Sequence, residues 1–275
     1  MATHSFRLKT TLQQRLDVSP LTPEALADKG GAEIGAMELH YGNRKLPVDH
    51  LFDWRHDADD SDGARVCFEG DGGKLDYLGL GMSSGSILVR GNAGAYLGHR
   101  MKGGNIMVEG DVGVFCAAEM RGGEIQIRGN AGDFVGGSLP GNKKGMAGGV
   151  VIIKGSAGAR IGDHMRRGVI LIEGGAGSYL GSRMTAGTIA VKGAVGPYVG
   201  YGMKRGTLLL FTAPQSLLPT FNDCGSHTLG FVPLLLKSFE SLETTFSDFA
   251  GKVGRVRRYA GDLAALGKGE ILVVL

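Results

Sequence analysis

The chain has 275 residues, enough for a sizeable core, with 49 glycines beside only 8 prolines and 30 Lys/Arg nearly balanced by 27 Asp/Glu. Such a Gly-rich, Pro-poor chain with 43% hydrophobic residues is neither collagen nor disordered low-complexity sequence, and no apolar run reaches the ~18–20 residues of a membrane span. With no apolar core of a secretory signal at the N-terminus, and with Cys67, Cys116 and Cys224 too scattered for a disulfide framework or a metal cluster, the expectation is a cytoplasmic protein that holds no metal.

Residues 1–65 carry no repeat and form an N-terminal segment. Thr22 followed by Pro23 predicts a helix entry, threonine capping and proline in the first turn. His50 to Asp57 superficially resembles a metal cluster, but it has no helical His pair, so an acidic surface loop is expected there.

From residue 66 to 212 the chain repeats itself. Glycines open units at Gly85, Gly104, Gly123, Gly149, Gly168, Gly187 and Gly206, at intervals of 19 residues except for one of 26. Further glycines recur six and nine residues into each unit, and thirteen residues in stand Gly98, Ala117, Gly136, Gly162, Gly181 and Gly200. Methionine follows at Met101, Met120, Met146, Met165, Met184 and Met203, and Met82 marks a degenerate first unit. Between these corners residues alternate with period two, with paired aliphatics such as Ile87/Val89, Ile106/Val108 and Ile170/Ile172. Each unit is therefore one coil of a parallel β-helix. At ~3.3 Å per residue its perimeter is at most roughly 63 Å, which inward side chains fill. Cys116 falls in an apolar row (Leu97, Val135, Ile161, Leu180, Val199) and reads as packing; the methionines read as core filler.

Three outward patterns accompany the coils. One is a charge ladder, Arg90, Glu109, Arg128, Lys154, Glu173 and Lys192. The second is an apolar stripe, Leu88, Met107, Gln126, Ile152, Leu171 and Ala190, which calls for a cover from this chain or another. The third is a strip of stacked rings, Tyr96, Phe115, Phe134, Tyr179 and Tyr198, with Arg160 among them. The coils from 85 to 205 hold fifteen bases against seven acids, whereas residues 1–84 hold nine against fourteen. Bases flank the methionines: Arg100, Lys102, Arg121, Arg166, Arg167, Arg183, Lys204 and Arg205, joined by Lys143 and Lys144 from a seven-residue insertion. They share one edge, either a solvated basic face or an anion-binding strip.

Residues 213–275 form a C-terminal region. Phe231 to Phe249 predicts an amphipathic helix, with Leu234, Leu235, Phe239, Leu242 and Phe246 on one stripe, packing as a cap on the coils. No catalytic pattern is found. Gly136-x4-Gly141 lacks the Lys-Ser/Thr of a phosphate loop. The repeated acids Glu109 and Glu173 belong to the charge ladder rather than to an acid–base pair. His99 and His164 are expected to be isolated surface residues without a carboxylate partner.

The Gly-x-Ile-x-Val-x-Gly-x-x-Gly coil resembles the C-terminal domain of the glutamate synthase large subunit, a right-handed β-helix with a structural part. Over nearly its whole length the chain is similar to the C subunits of the formylmethanofuran dehydrogenase family. The shared motifs are Leu51-Phe52-Asp53, the insertion Ser138 to Met146, Phe221 to Gly225, and Arg258 to Ile271. The resemblance implies a right-handed parallel β-helix acting as a non-catalytic scaffold in a cytoplasmic hetero-oligomer, with no nucleic acid or membrane partner. In the bacterial formyltransferase/hydrolase form, the complex passes a formyl group from tetrahydromethanopterin to a methanofuran-type carrier and releases formate. Its partners would be an amidohydrolase-like subunit, a formyltransferase subunit and one further subunit, with no cofactor on this chain. The basic edge would then guide the carrier's polyglutamate arm. The alternatives are the C subunit of a molybdenum or tungsten dehydrogenase and a stand-alone carbohydrate-binding β-helix.

Overall fold

A computed structural model describes residues 3–57 and 65–275. Its core is a stack of parallel strands: Ser86–Arg90, Asn105–Val108, Glu124–Ile127, Ala147–Ile153, Arg167–Ile172, Thr188–Val191 and Arg205–Leu210, each paired to the next. Register follows the sequence repeat, so Ile87 lies opposite Ile106, Ile106 opposite Ile125, and Ile125 opposite Val151 across the insertion. A second line of parallel bridges, from Gly72 through Ala93, Val112, Ala131, Ala157 and Ala176 to Val195, ties the other wall of each coil. Arg65–Glu69 pairs parallel with Ser86–Arg90, so the degenerate first unit is present.

Inside, like residues lie on like. The aliphatic pairs, the Cys116 row and all six repeat methionines are buried in one cluster, and complete burial pushes the Cys116 thiol up to about 12. The corner thirteen residues into each coil needs left-handed backbone, which glycine adopts freely: Gly98 has φ +64° and Gly136 +65°. Ala117 holds the same conformation at φ +55°.

Both ends extend the same sheet, which has 13 strands among the described residues. Thr3–Leu8 adds in parallel beside Arg65–Glu69, and Phe52–Asp57 runs antiparallel beyond it. The acidic loop expected over 50–57 is instead a short helix, Val48–Leu51, leading into this edge strand. Alternation decides the matter: Phe52 is buried against Phe6 and Phe68, Asp53 is exposed and Trp54 half-buried. Thr22 caps its helix as expected, its Oγ1 accepting from the Ala25 amide at 3.3 Å.

At the other end Lys268–Val274 pairs parallel with Arg205–Leu210, and Val256–Gly261 and Asn222–His227 follow antiparallel. The helix expected from Phe231 to Phe249 is real only over Phe231–Lys237, with a 3-10 turn at Ser247–Phe249. Hydroxyls in between bond local carbonyls: Ser238 Oγ donates to Leu235 O at 2.6 Å and Ser247 Oγ to Thr244 O at 2.8 Å, which competes with helix continuation. Within the short helix Val232 and Leu236, four residues apart, take the buried face, so Leu234 faces solvent at 68% exposure. Val232, Leu236, Phe239 and Phe246 pack on the outer face of the sheet, over Ile152, Leu171, Ala190, Leu209 and Leu272. The molecule is all-β, its helices confined to short segments.

Candidate functional site

The predicted basic edge is built by the coil repeat. Just after each methionine, a backbone amide donates to the methionine carbonyl of the preceding coil. Lys102 bonds Met82 at 2.7 Å, Arg121 Met101 at 2.7 Å, Arg166 Met146 at 2.7 Å and Lys204 Met184 at 2.8 Å. The residues of this row, with Ala147 and Thr185 in the remaining places, therefore stack one above another. Arg167 and Arg205 follow directly in the next row, and all six bases are exposed. The insertion contributes Lys143 and Lys144, also exposed, in a loop pinned where the Gly145 amide meets His164 O at 3.0 Å.

Two of the ten predicted bases have acid partners on the same edge. Arg100 Nε donates to Glu119 at 2.8 Å, and Arg183 grips Asp163 through Nε at 2.9 Å and Nη2 at 2.6 Å. Asp163 is buried at 2% exposure and also accepts from Ser182 Oγ at 2.6 Å. Burial raises the Glu119 carboxyl, but the bonds from Arg100 and Asn142 outweigh this and hold it below the usual range. Among the described residues the site is thus eight cations free of acid partners around two internally balanced pairs. Its chemistry is long-range attraction and charge-assisted hydrogen bonding to an anion.

Beside the pairs lies a small concavity of about 140 Å³, floored by Phe115 and Phe134 and walled by Ser138 to Asn142, Asp163, His164 and Arg183. The histidines differ from expectation. His99 is buried, its Nδ1 at 2.9 Å from Ala118 O of the next coil, and burial lowers its pKa. His164 does have a carboxylate beside it: its pKa is lowered by burial and by Arg183, Lys204 and Lys143, with Asp163 opposing.

The charge ladder and the ring strip make contacts within the chain. Lys154 bonds Glu173 at 3.0 Å, and Glu173 also accepts from Thr244 Oγ1 at 3.0 Å and the Thr245 amide at 2.9 Å, so this part of the charge ladder anchors the C-terminal cover. Arg90 pairs with Glu69 at 3.1 Å. The rings stack continuously, with centroids 4.7 Å apart for Phe115–Phe134 and for Tyr179–Tyr198; the Arg160 guanidinium bridges the gap 4.5 Å from Tyr179. Sequence reasoning missed a polar ladder seven residues into four of the coils, Asn92, Asp111, Asn130 and Ser156. Asn92 Oδ1 accepts from the Asp111 amide at 2.9 Å, Asp111 from the Asn130 amide at 2.6 Å, and Asn130 from the Ser156 amide at 2.9 Å. Its signal was the same 19-residue spacing, Asn92–Asp111–Asn130.

Stacked coils with a cationic edge and a self-supplied cover define an all-β repeat chain. A solved structure, the formyltransferase/hydrolase complex from Methylorubrum extorquens in complex with methylofuran, contains a chain matching at TM-score 0.92 and 40% identity, over 98% of this chain and 99% of that one. The C subunit of the formyltransferase/hydrolase complex of the same organism is 42% identical over 90 residues, 33% of this chain and 32% of the relative. That sequence match spans about a third of the curated relative's length. No family model matches. The chain belongs to the family of formyltransferase/hydrolase complex C subunits. Among the described residues no helix is long and apolar enough to cross a membrane.

Proposed function

We propose that this chain is the non-catalytic scaffold subunit of a cytoplasmic hetero-oligomer that moves a formyl group from tetrahydromethanopterin to a methanofuran-type carrier and hydrolyses it to formate. The observation that carries the reading is the 40% identity sustained over 98% of the chain, with the whole fold superposing at TM-score 0.92. The parallel register of successive coils and the second line of bridges support a right-handed parallel β-helix over 66–212. Residues 1–65 are a non-repeat segment preceding it, and residues 213–275 are a C-terminal helix and tail packing on it. An amidohydrolase-like subunit, a formyltransferase subunit and one further subunit carry the remaining functions, and this chain binds no cofactor of its own.

The basic edge guides the carrier's anionic, glutamate-rich arm between active sites. Support comes from Lys102, Arg121, Arg166 and Lys204 sharing one row of the coil stack, with Ala147 and Thr185 interspersed and coils roughly 5 Å apart, and from Arg167, Arg205, Lys143 and Lys144 alongside. Arg183, which holds Asp163, and Arg100, which holds Glu119, keep the edge in shape.

The test is reconstitution with the other subunits, followed by formyl-transfer assays with full-length carrier and with a carrier shortened to one glutamate. Reversal of Arg166, Arg167 and Lys204 to Glu should raise KM for the full-length carrier about tenfold or more at low salt and leave the short carrier unaffected. Unchanged kinetics with both carriers would remove the guiding role. Molybdenum or tungsten in the purified complex would move the chain to the dehydrogenase alternative.

A further inference from the structure

The central outward row of the sheet runs unbroken through Ser5, Cys67, Leu88, Met107, Gln126, Ile152, Leu171, Ala190, Leu209 and Leu272. From Ile152 onward every member is fully buried beneath the C-terminal segment. That cover stops at Gln126, whose Nε2 donates to Glu243 at 3.0 Å. Beyond it Leu88 and Met107 are only half-buried and line a concavity of about 340 Å³. This adjoins a second, of about 710 Å³, which shares Leu88 and reaches Cys67, Arg7 and Arg55.

The charge in this groove is lopsided. Its acids are Glu69, paired with Arg90, Asp53, paired with Lys9, and the exposed Asp49, whereas its bases also include the exposed Arg7 and Arg55, which have no side-chain partner among the described residues, so the balance is positive. The covered half shows what the row accepts: aromatic knobs on the aliphatic centre, and oxygen acceptors beside it, where Glu243 O and Thr245 Oγ1 meet Lys154 and Lys192.

We propose that the open half, from Ser5 to Met107, is the docking groove for an acidic, aliphatic segment of another subunit, which continues the cover that this chain's own C-terminal segment begins. The proposal rests on the hetero-oligomeric reading above. Four strands at ~4.8 Å make the row roughly 15 Å long, the reach of about three helical turns. Aliphatic side chains of the segment sit on Leu88 and Met107, and its carboxylates meet Arg7 and Arg55.

A photo-crosslinking residue at Leu88 in the reconstituted complex, mapped by peptide mass spectrometry, tests this directly. A crosslink to one Asp/Glu-containing aliphatic segment of another subunit is expected. Leu88→Asp should weaken assembly at least tenfold. Should that variant fail to fold, the doubly reversed rim, Arg7→Glu with Arg55→Glu, should weaken assembly about tenfold in a salt-dependent way. Crosslinking to a second copy of this chain, or to its own residues 58–64, would overturn the proposal. So would variants that assemble as the unaltered chain does. Failure of the unaltered chain to assemble with the other subunits would instead sink the hetero-oligomeric reading itself.

Discussion

Leu88 and Leu171 occupy the same outward position on the sheet, four coils apart, yet Leu171 is fully buried and Leu88 is not. The difference lies in the C-terminal segment, which lays Phe239 and Phe246 over one half of the face and ends at Gln126. Burial at an outward coil position is therefore decided by distant chain and not by the coil's own sequence. Stability of the two halves should differ accordingly, even where the residues are alike.

The largest effect is expected from the cover. Phe246→Ala removes a fully buried ring from the second core and should cost about 3–5 kcal/mol in urea denaturation. A cost below ~1 kcal/mol would mean that the segment is only loosely applied. Next, Leu171→Ala should cost about 2–5 kcal/mol, and Leu88→Ala in the isolated chain distinctly less, because part of its surface is already in water. Equal losses at the two sites would abolish the distinction between the halves. Glu173→Gln should cost about 1–3 kcal/mol, since the carboxylate accepts from Lys154, Thr244 and Thr245 together. Limited proteolysis of that variant should release the C-terminal segment first.

Acidification gives a smaller and graded effect. His4, His99 and His164 all have pKa values lowered, with burial the largest cause. Each is charged more readily unfolded than folded, so stability is complete above the unfolded value of ~6.5 and declines as pH falls below it. The urea midpoint should drop between pH ~7.5 and ~5.5, and His99→Gln should flatten that slope; an unchanged slope would place the proton uptake elsewhere. At lower pH, burial raises Glu24 and Glu173 while hydrogen bonds lower them further, and their contribution is lost as pH falls through those depressed values.

The coil stack was legible because its corners and its interior repeat at one interval: Gly98, Met101 and Cys116 each declared a row that the structure builds. The shared row of Lys102, Arg121, Arg166 and Lys204 was legible for the same reason. What escaped were pairings made across the repeat. Asp163 lies next to His164 in sequence but is engaged by Ser182 and Arg183 of the following coil. His99 looked solvated because nothing local announces that Ala118 offers its carbonyl. The edge strand at Phe52–Asp57 and the broken helix after Lys237 depend on partners far along the chain, where local propensity is a weak guide.

The seven extra residues after Gly136 leave the strands on either side in step, Ile125 against Val151 and Val151 against Ile170. The ladder is thus counted in space, coil upon coil, and is indifferent to how much chain is spent at that corner. Only the exposed tip at Pro140 and Gly141, flanked by the buried Ser138 and by Asn142 with its bond to Glu119, is accordingly a port where a tag, a fluorophore or a foreign peptide could be spliced without slipping the thread.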